Sequence, residues 1–346
     1  MRVVPRLSLA DLADGGELTL AADGRPRHPL AVVELGRASP AVVAAAARAA
    51  AGASAVLVGV ADAVPPDLLP VVERLAVTLV PPAAADHRTC VGTDDPAATV
   101  TAIHDVVRAA PMAALSLVRL LPLTASLPVL AGLVAESQAY SMLLAGPEFL
   151  AWRQRTPRRV VAADQDGEPV LLSREGAVLR IALNRPRRHN AFSHDVRDGL
   201  VAALDVALAD PSVRVELTGR GPSFCSGGDL DEFGTAPDVV TAHLIRLHRS
   251  PGAAVHACAD RVRAVVHGAC IGAGIEIPAF AGCLVARSDA YFRLPELRMG
   301  LIPGAGGTVS VTRRIGRWRT AYLALSGQPI DVPTALRWGL VDGRAD

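Results

Sequence analysis

The chain has no lysine: all 35 basic residues among its 346 are arginine. That excludes Schiff-base chemistry and leaves any phosphate binding to arginine, helix N-termini and backbone amides. An excess of either charge is also missing. With 35 basic and 34 acidic residues the net charge is +1, so no global field recruits nucleic acid or an anionic membrane. Cysteine is sparse, and Cys90, Cys225, Cys258, Cys270 and Cys283 form no Cys-x-x-Cys pair and no His/Cys cluster at metal spacing. Their odd number and wide scatter fit a reducing compartment, and no metal site is expected. No apolar run reaches membrane length, because Arg, Asp, Glu or Pro interrupts each one, and the N-terminus lacks a basic segment followed by an apolar one. The expectation is a cytoplasmic protein that does not insert in a membrane. Aromatics make up 3% and apolar residues 51%, mostly Ala, Val and Leu. This predicts a compact α/β protein with a large helical share, and the length allows two domains.

Residues 1–108 read as a small α/β region. A short helix is expected at Leu7–Leu12, with strands at Leu30–Leu35, Ala55–Val60 and Ala76–Val80. Ser39-Pro40 and Asp94-Asp95-Pro96 open helices by placing a capping side chain before a proline at the first helical position. Residues 109–160 carry almost no strand signal and read as two or three packed helices; residues 161–172 read as a polar linker. A second α/β region fills residues 173–346, with a strand at Ala177–Leu183, a helix at Val196–Leu208 and a strand at Val213–Thr218.

The stretch with most chemical content is Val266-His267-Gly268-Ala269-Cys270-Ile271-Gly272-Ala273-Gly274-Ile275-Glu276, an apolar strand entering a Gly-rich turn that opens a helix. Such a turn directs free N–H groups at whatever lies over the helix start, which favours negative charge there. Glu276 follows one turn later. A second carboxylate, Glu296, sits in Tyr291-Phe292-Arg293-Leu294-Pro295-Glu296, ahead of another Gly-rich run, Gly300-Leu301-Ile302-Pro303-Gly304-Ala305-Gly306-Gly307-Thr308. Oxyanion-stabilising amides with two carboxylates nearby are the equipment for proton transfer at the carbon next to a carbonyl.

These residues resemble the crotonase family, the enoyl-CoA hydratase/isomerase superfamily. Its pattern joins a Gly-Gly-Gly-x-Glu turn to Phe-Gly-x-Pro-Glu-x-x-x-Gly-x-x-Pro-Gly-x-Gly-Gly-Thr about twenty residues on. Asn184-Arg185-Pro186-Arg187-Arg188-His189-Asn190-Ala191 and Phe224-Cys225-Ser226-Gly227-Gly228-Asp229 match two further family segments in family order. The resemblance implies a crotonase-like ββα spiral core over 173–346, preceded by an N-terminal α/β-plus-helical region. It further implies homotrimers or homohexamers and a coenzyme A thioester as substrate, with no metal or redox cofactor. Residues 109–157 resemble the helices that close a family subunit, which do not follow Val341-Asp342 here. They are therefore expected to cover the acyl-CoA from the N-terminal side, as a permuted arrangement or a remnant of a duplicated unit.

Carried over by motif position, the backbone N–H groups of Ser226 and Ala273 hold the thioester oxygen. Glu276 activates a water for attack on C3 and Glu296 delivers the proton to C2; an isomerase works with the Glu296 position alone. Substrate and CoA contacts map to Arg185, Arg187, Ala191, Gly227, Asp229, Gly272 and Arg293. Asp229 is equally read as an N-terminal helix cap, which is the reading preferred here. His189 and His267 fall where the family tolerates several residues. The sequence departs from the pattern at Ala273 in the Gly triplet, at Gly282 where Asp is common, and at Arg293, which replaces a Gly. Arg293 either crosses the pocket to pair with an acidic acyl group or points to solvent. Hydration of a 2-enoyl-CoA is the expected reaction. The alternatives are double-bond isomerisation, a cofactor-free arylacetyl-CoA dioxygenase, against which Glu276 argues, and a non-catalytic acyl-CoA-binding partner of another homologue.

Overall fold

The computed structural model describes residues 4–15, 18–159 and 167–345. The N-terminal region is a parallel sheet in sequential order, β1 (Arg6–Ser8), β2 (Leu30–Glu34), β3 (Val56–Val60), β4 (Val77–Val80) and β5 (Cys90–Gly92). Its connections include α1 (Leu9–Ala13), α2 (Pro40–Gly52) and α3 (Leu69–Val72). The central strands are apolar at nearly every position because both faces are covered. Ala31, Val33 and Leu57 pack on one side with Leu12, Val43 and Val71. Leu30, Val32, Val56 and Val58 face the other way and join the main core. Both expected caps form: Ser39 Oγ accepts from Val42 N at 3.4 Å, and Asp95 Oδ1 from Ala98 N at 2.8 Å. The first helix starts two residues later than expected, because Leu7 is taken into β1 and Ser8 caps the helix reciprocally with Asp11.

Four helices follow: α4 (Pro96–Ala109), α5 (Pro111–Ser126), α6 (Val129–Leu144) and α7 (Pro147–Arg155). Ala110 precedes α5 and has no side chain to cap it. Glu148 of α7 takes that role, accepting from Met112 N at 2.8 Å and Ala113 N at 3.0 Å, and so ties α7 to α5. Residues 161–166 of the expected linker lie outside the described residues. Its end, Val170–Leu172, is instead the start of a strand, so the second region opens on a hairpin of β6 (Val170–Glu175) and β7 (Val178–Leu183). This edge strand is largely solvent-facing, which removed the apolar alternation that would have marked it.

The chain continues through α8 (His194–Ala209), β8 (Arg214–Gly219), α9 (Val239–His248), α10 (Pro251–Ala257), β9 (Val262–Val266), β10 (Ala269–Ile271) and α11 (Ala273–Glu276). It ends with β11 (Cys283–Ala286), β12 (Tyr291–Arg293), α12 (Gly307–Ile315), α13 (Arg317–Ser326), β13 (Ile330–Asp331), α14 (Val332–Trp338) and β14 (Gly343–Arg344). One sheet has the order β14-β11-β9-β8-β7-β6 and a second the order β10-β12-β13. Successive turns place one strand in each sheet and then a helix: β9, β10, α11, and then β11, β12, α12. This is the ββα spiral, and it stacks the ends of β10 and β12, parallel and adjacent, where the two glutamates leave the sheet. Helices α5 and α6 pack on α12 from the far side.

Candidate active site

Two Gly-rich turns lie side by side because a short parallel bridge joins their leading residues. Cys225 N donates to the Ala269 carbonyl and Ile271 N to the Cys225 carbonyl, both at 3.0 Å. Asn190 anchors the first turn from below: its Nδ2 donates to the Arg220 and Ser223 carbonyls at 2.9 and 2.8 Å, and its Oδ1 accepts from Arg185 N at 2.7 Å. His189 and Asn190 adopt left-handed backbone (φ 50° and 53°), which presents the His189 carbonyl to the turn.

That carbonyl overturns one assignment. Ser226 N donates to His189 O at 2.9 Å, so its amide is already engaged. In this turn the amides of Gly227 and Gly228 have no acceptor among the described residues, and both residues border the cavity. In the second turn Gly272 N is bound by the Arg293 carbonyl at 3.0 Å, while Ala273 N has no acceptor and faces the cavity. Gly274 is packed against Cys225 behind it. The helix that follows is a single turn, Ala273–Glu276, before Pro278 begins a 3-10 turn. The unpaired amides therefore matter here more than a long helix dipole.

Gly272 (φ 51°) does not border the cavity; it allows two carboxylates to converge. A β-carbon on it would lie 2.6 Å from Glu296 Oε1 and 3.6 Å from Glu276 Oε1. Both glutamates are buried and both line the cavity. Their environments differ. Glu276 Oε2 accepts from Ala305 N and Gly307 N, each at 2.8 Å. Burial pushes its carboxyl up to about 7, and the amide hydrogen bonds hold it from going further. Glu296 Oε2 has no partner among the described residues. Burial first, and then the neighbouring Glu276 charge, drive its carboxyl well above the ordinary range.

A third carboxylate belongs to this cluster and was missed in the sequence. Glu136 of α6, 2% exposed, accepts from Gly306 N at 2.7 Å, Thr308 N at 2.9 Å and Thr308 Oγ1 at 2.7 Å. Successive amides of one turn are thus divided between Glu276 and Glu136. Burial and then the Glu276 charge push Glu136 up to about 8. The available signal was that Glu136 is the single charged residue in the otherwise apolar or neutral helix Val129–Leu144.

The cavity measures about 1050 Å³. Besides the turns and carboxylates it is walled by Phe192 and Phe233 of the second region and by Tyr140, Leu144, Trp152 and Thr156 of the helical segment. The helical segment is therefore part of the site. Its end clasps the loop after the first turn: Arg153 Nη2 donates to Leu230 O at 2.7 Å, Arg158 Nη2 to Phe233 O at 2.9 Å, and Arg159 N to Asp231 Oδ1 at 2.9 Å.

Several other assignments change. Arg185 is buried beneath the first turn and does not border the cavity; its Nη1 donates to Ala191 O at 2.8 Å and to Asp229 Oδ2 at 3.3 Å. It braces the site and is not placed to meet a CoA phosphate. Asp229 caps no helix, since residues 229–234 form turns and Asp238 caps α9. Asp229 instead holds Arg185 and Arg188, the latter at 3.0 and 3.1 Å. Two arginines close in space required a buried carboxylate there. Arg187 is exposed and borders the cavity, as do Ala191, Gly227 and Arg293. Arg293 Nε donates to the Gly327 carbonyl at 2.6 Å, which pins the near end of its guanidinium to backbone.

Comparison with known proteins places the second region in a family. The family model described as Enoyl-CoA hydratase/isomerase matches residues 173–344. A 2,3-dehydroadipyl-CoA hydratase of Escherichia coli (strain K12) is 35% identical over 173 residues, which cover 50% of this chain and 67% of that one. A mevalonyl-coenzyme A hydratase of Beauveria bassiana is 34% identical over 174 residues, covering 48% of this chain and 62% of that protein. The crystal structure of an enoyl-CoA hydratase from Thermoplasma volcanium aligns with 30% identity and a TM-score of 0.48, over 52% of this chain and 73% of that one. With the paired turns and the two converging glutamates in place, the chain belongs to the enoyl-CoA hydratase/isomerase family of the crotonase superfamily.

Proposed function

We propose that the protein adds water across the 2,3 double bond of an enoyl-CoA thioester. The observation that carries this reading is the convergence of Glu276 and Glu296 on Gly272, beside free amides from two turns. The thioester oxygen accepts from Ala273 N and from an amide of the Gly227-Gly228 pair, so negative charge developing on it meets fixed donors. The environments of the carboxylates assign their roles. Glu276, whose two amide hydrogen bonds limit how far burial favours its neutral form, acts when ionised and takes a proton from water as the water oxygen bonds to C3. The π electrons move onto the thioester as an enolate. Glu296, whose Oε2 has no donor among the described residues, carries a proton and releases it to C2. One proton then passes from Glu276 back to Glu296 and restores the starting state. The exposed Arg187, with Arg188 and Arg159 at the same mouth, faces the CoA phosphates. The helices α6 and α7, whose Tyr140, Leu144 and Trp152 line the cavity, cover the acyl chain.

The test is absorbance at the conjugated-thioester band with a panel of 2-enoyl-CoAs. Loss of the band is the expected outcome. A flat trace from a protein that still binds crotonyl-CoA would sink the hydratase reading and leave isomerisation, oxygenation or a purely binding role.

A further inference from the structure

Arg246, on α9, is mostly buried and borders the cavity, yet no carboxylate lies within ion-pairing distance of it among the described residues. Its partners are neutral. Nε donates to Ser137 Oγ at 3.1 Å, and Nη2 donates to the Ser137 carbonyl at 3.4 Å and to Ser141 Oγ. The guanidinium lies over the Tyr140 ring, 4.6 Å from its centroid. Nη1 has no protein acceptor among the described residues. A desolvated cation without an anion is costly, and an arginine with one free edge is built to receive a carboxylate.

Its position says which anion. Arg246 stands at a neck. On one side is the main cavity, with Glu276, Ala273 and Ala305; on the other is a side cavity of about 200 Å³ lined by Leu130, Leu133, Ser137 and Glu136, whose carboxylate oxygens are taken up by Gly306 and Thr308. Phe192, Arg197, Gly304 and Ala305 border both spaces. The other cations there have a carboxylate beside them, since Arg197 and Arg249 share Asp198. The arginines at the CoA end, Arg159 and Arg188, pair with Asp231 and Asp229. Arg293 and Arg298 also border the main cavity without a carboxylate at ion-pairing distance among the described residues, but Arg246 is the one of the three that stands at the neck between the two spaces.

We infer that Arg246 anchors a carboxylate at the far end of the acyl chain, and that the preferred substrates are acyl-CoA thioesters of dicarboxylic acids. The inference rests on the cavity being an acyl-CoA site. A methyl-ended chain of equal length leaves Nη1 without an acceptor, so the discrimination comes from a buried polar group left unpaired.

The experiment is calorimetric binding of saturated thioesters, which requires no turnover: succinyl-, adipyl- and suberyl-CoA beside butanoyl-, hexanoyl- and octanoyl-CoA. At the length that reaches Arg246 the carboxylate-ended thioester binds tenfold or more tightly than its methyl-ended counterpart. Arg246→Met removes that preference and leaves methyl-ended binding within about twofold, while Arg246→Lys retains part of it. Equal binding of each pair by the wild type overturns the inference, and so does an Arg246→Met variant that weakens both classes alike, the mark of a brace between α9 and α6. The wild-type series decides even where the variant does not fold. Selective binding with no conversion of the matching 2-enoyl-CoAs would sink the hydratase reading and leave this one standing; conversion without selectivity would do the reverse.

Discussion

The sheet β1–β5 and the wall of the catalytic cavity are made of the same materials, parallel strands of Val, Leu and Ala with helices packed on them, but they treat charge differently. Among the described residues up to Asp95, no Asp, Glu, Arg or His is buried. The buried polar residues there are Thr78 and Thr89, and the unpartnered atom of Thr78 is a neutral hydroxyl. At the cavity Glu276 and Glu296 are buried on its wall, with Glu136 buried behind them, and among the described residues Glu296 Oε2 has no donor. Packing alone favours the first arrangement, since burying carboxylates beside one another costs desolvation and repulsion. The second arrangement suits the proposed proton transfer.

The contrast breaks most visibly at Glu296. Glu296→Gln removes the proposed proton donor while keeping the shape, and kcat should fall by about 10²–10⁴-fold with the thermal midpoint preserved. A loss of less than tenfold, read from the conjugated-thioester band, would remove Glu296 from the chemistry. The converse is Leu75→Ala under the N-terminal sheet, where the side chain is fully buried. It should cost about 2–5 kcal/mol of stability in denaturant titration, with kcat at low temperature unchanged.

Two glycines sharpen the comparison. Gly24 (φ 78°) and Gly272 (φ 51°) both occupy left-handed backbone, but a β-carbon meets nothing within 4 Å at Gly24 and lies 2.6 Å from Glu296 Oε1 at Gly272. Alanine at either should cost about 1–3 kcal/mol in backbone strain. Only Gly272→Ala should also lower kcat, by displacing Glu296; equal activities would separate the turn from the catalyst.

The smallest effect is the pH dependence. Glu276 and Glu136 titrate near 7 and 8 in the folded chain, against 4.5 for an ordinary carboxyl. The folded state therefore holds protons that the unfolded chain releases above 4.5. Their contribution to stability is full below that pH and is lost as pH rises through about 7–8. Denaturation midpoints should fall between pH 5.5 and 8.5, with a shallower slope in Glu136→Gln. The rate runs oppositely at first: because the proposed base, Glu276, would act ionised, kcat should rise with pH through about 7. An activity flat across that range would remove the base role from Glu276.

The composite motif from Val266 to Thr308 was legible because its parts are contiguous, and the spacing of Glu276 and Glu296 brings both onto Gly272. The strands Leu30–Glu34 and Val56–Val60 were legible as apolar runs bounded by turn residues. The exposed edge strand β6 was not, because a strand facing solvent lacks the pattern that burial imposes.

Local sequence also determined the caps at Ser39 and Asp95, the single-residue left-handed turns at glycine, and the family. Those features depend on neighbours within a few residues or on a motif read in one line. Tertiary structure decided the rest: that the Ser226 amide is used by His189, that Asp229 neutralises two arginines, and that Glu136 joins the carboxylates from a helix more than a hundred residues away in sequence. It also decided that Arg246 borders the cavity with no carboxylate at ion-pairing distance among the described residues. Which donor is free and which charge is compensated depends on groups that meet only when the chain folds, and a desolvated group's behaviour is set by those neighbours more than by its own identity.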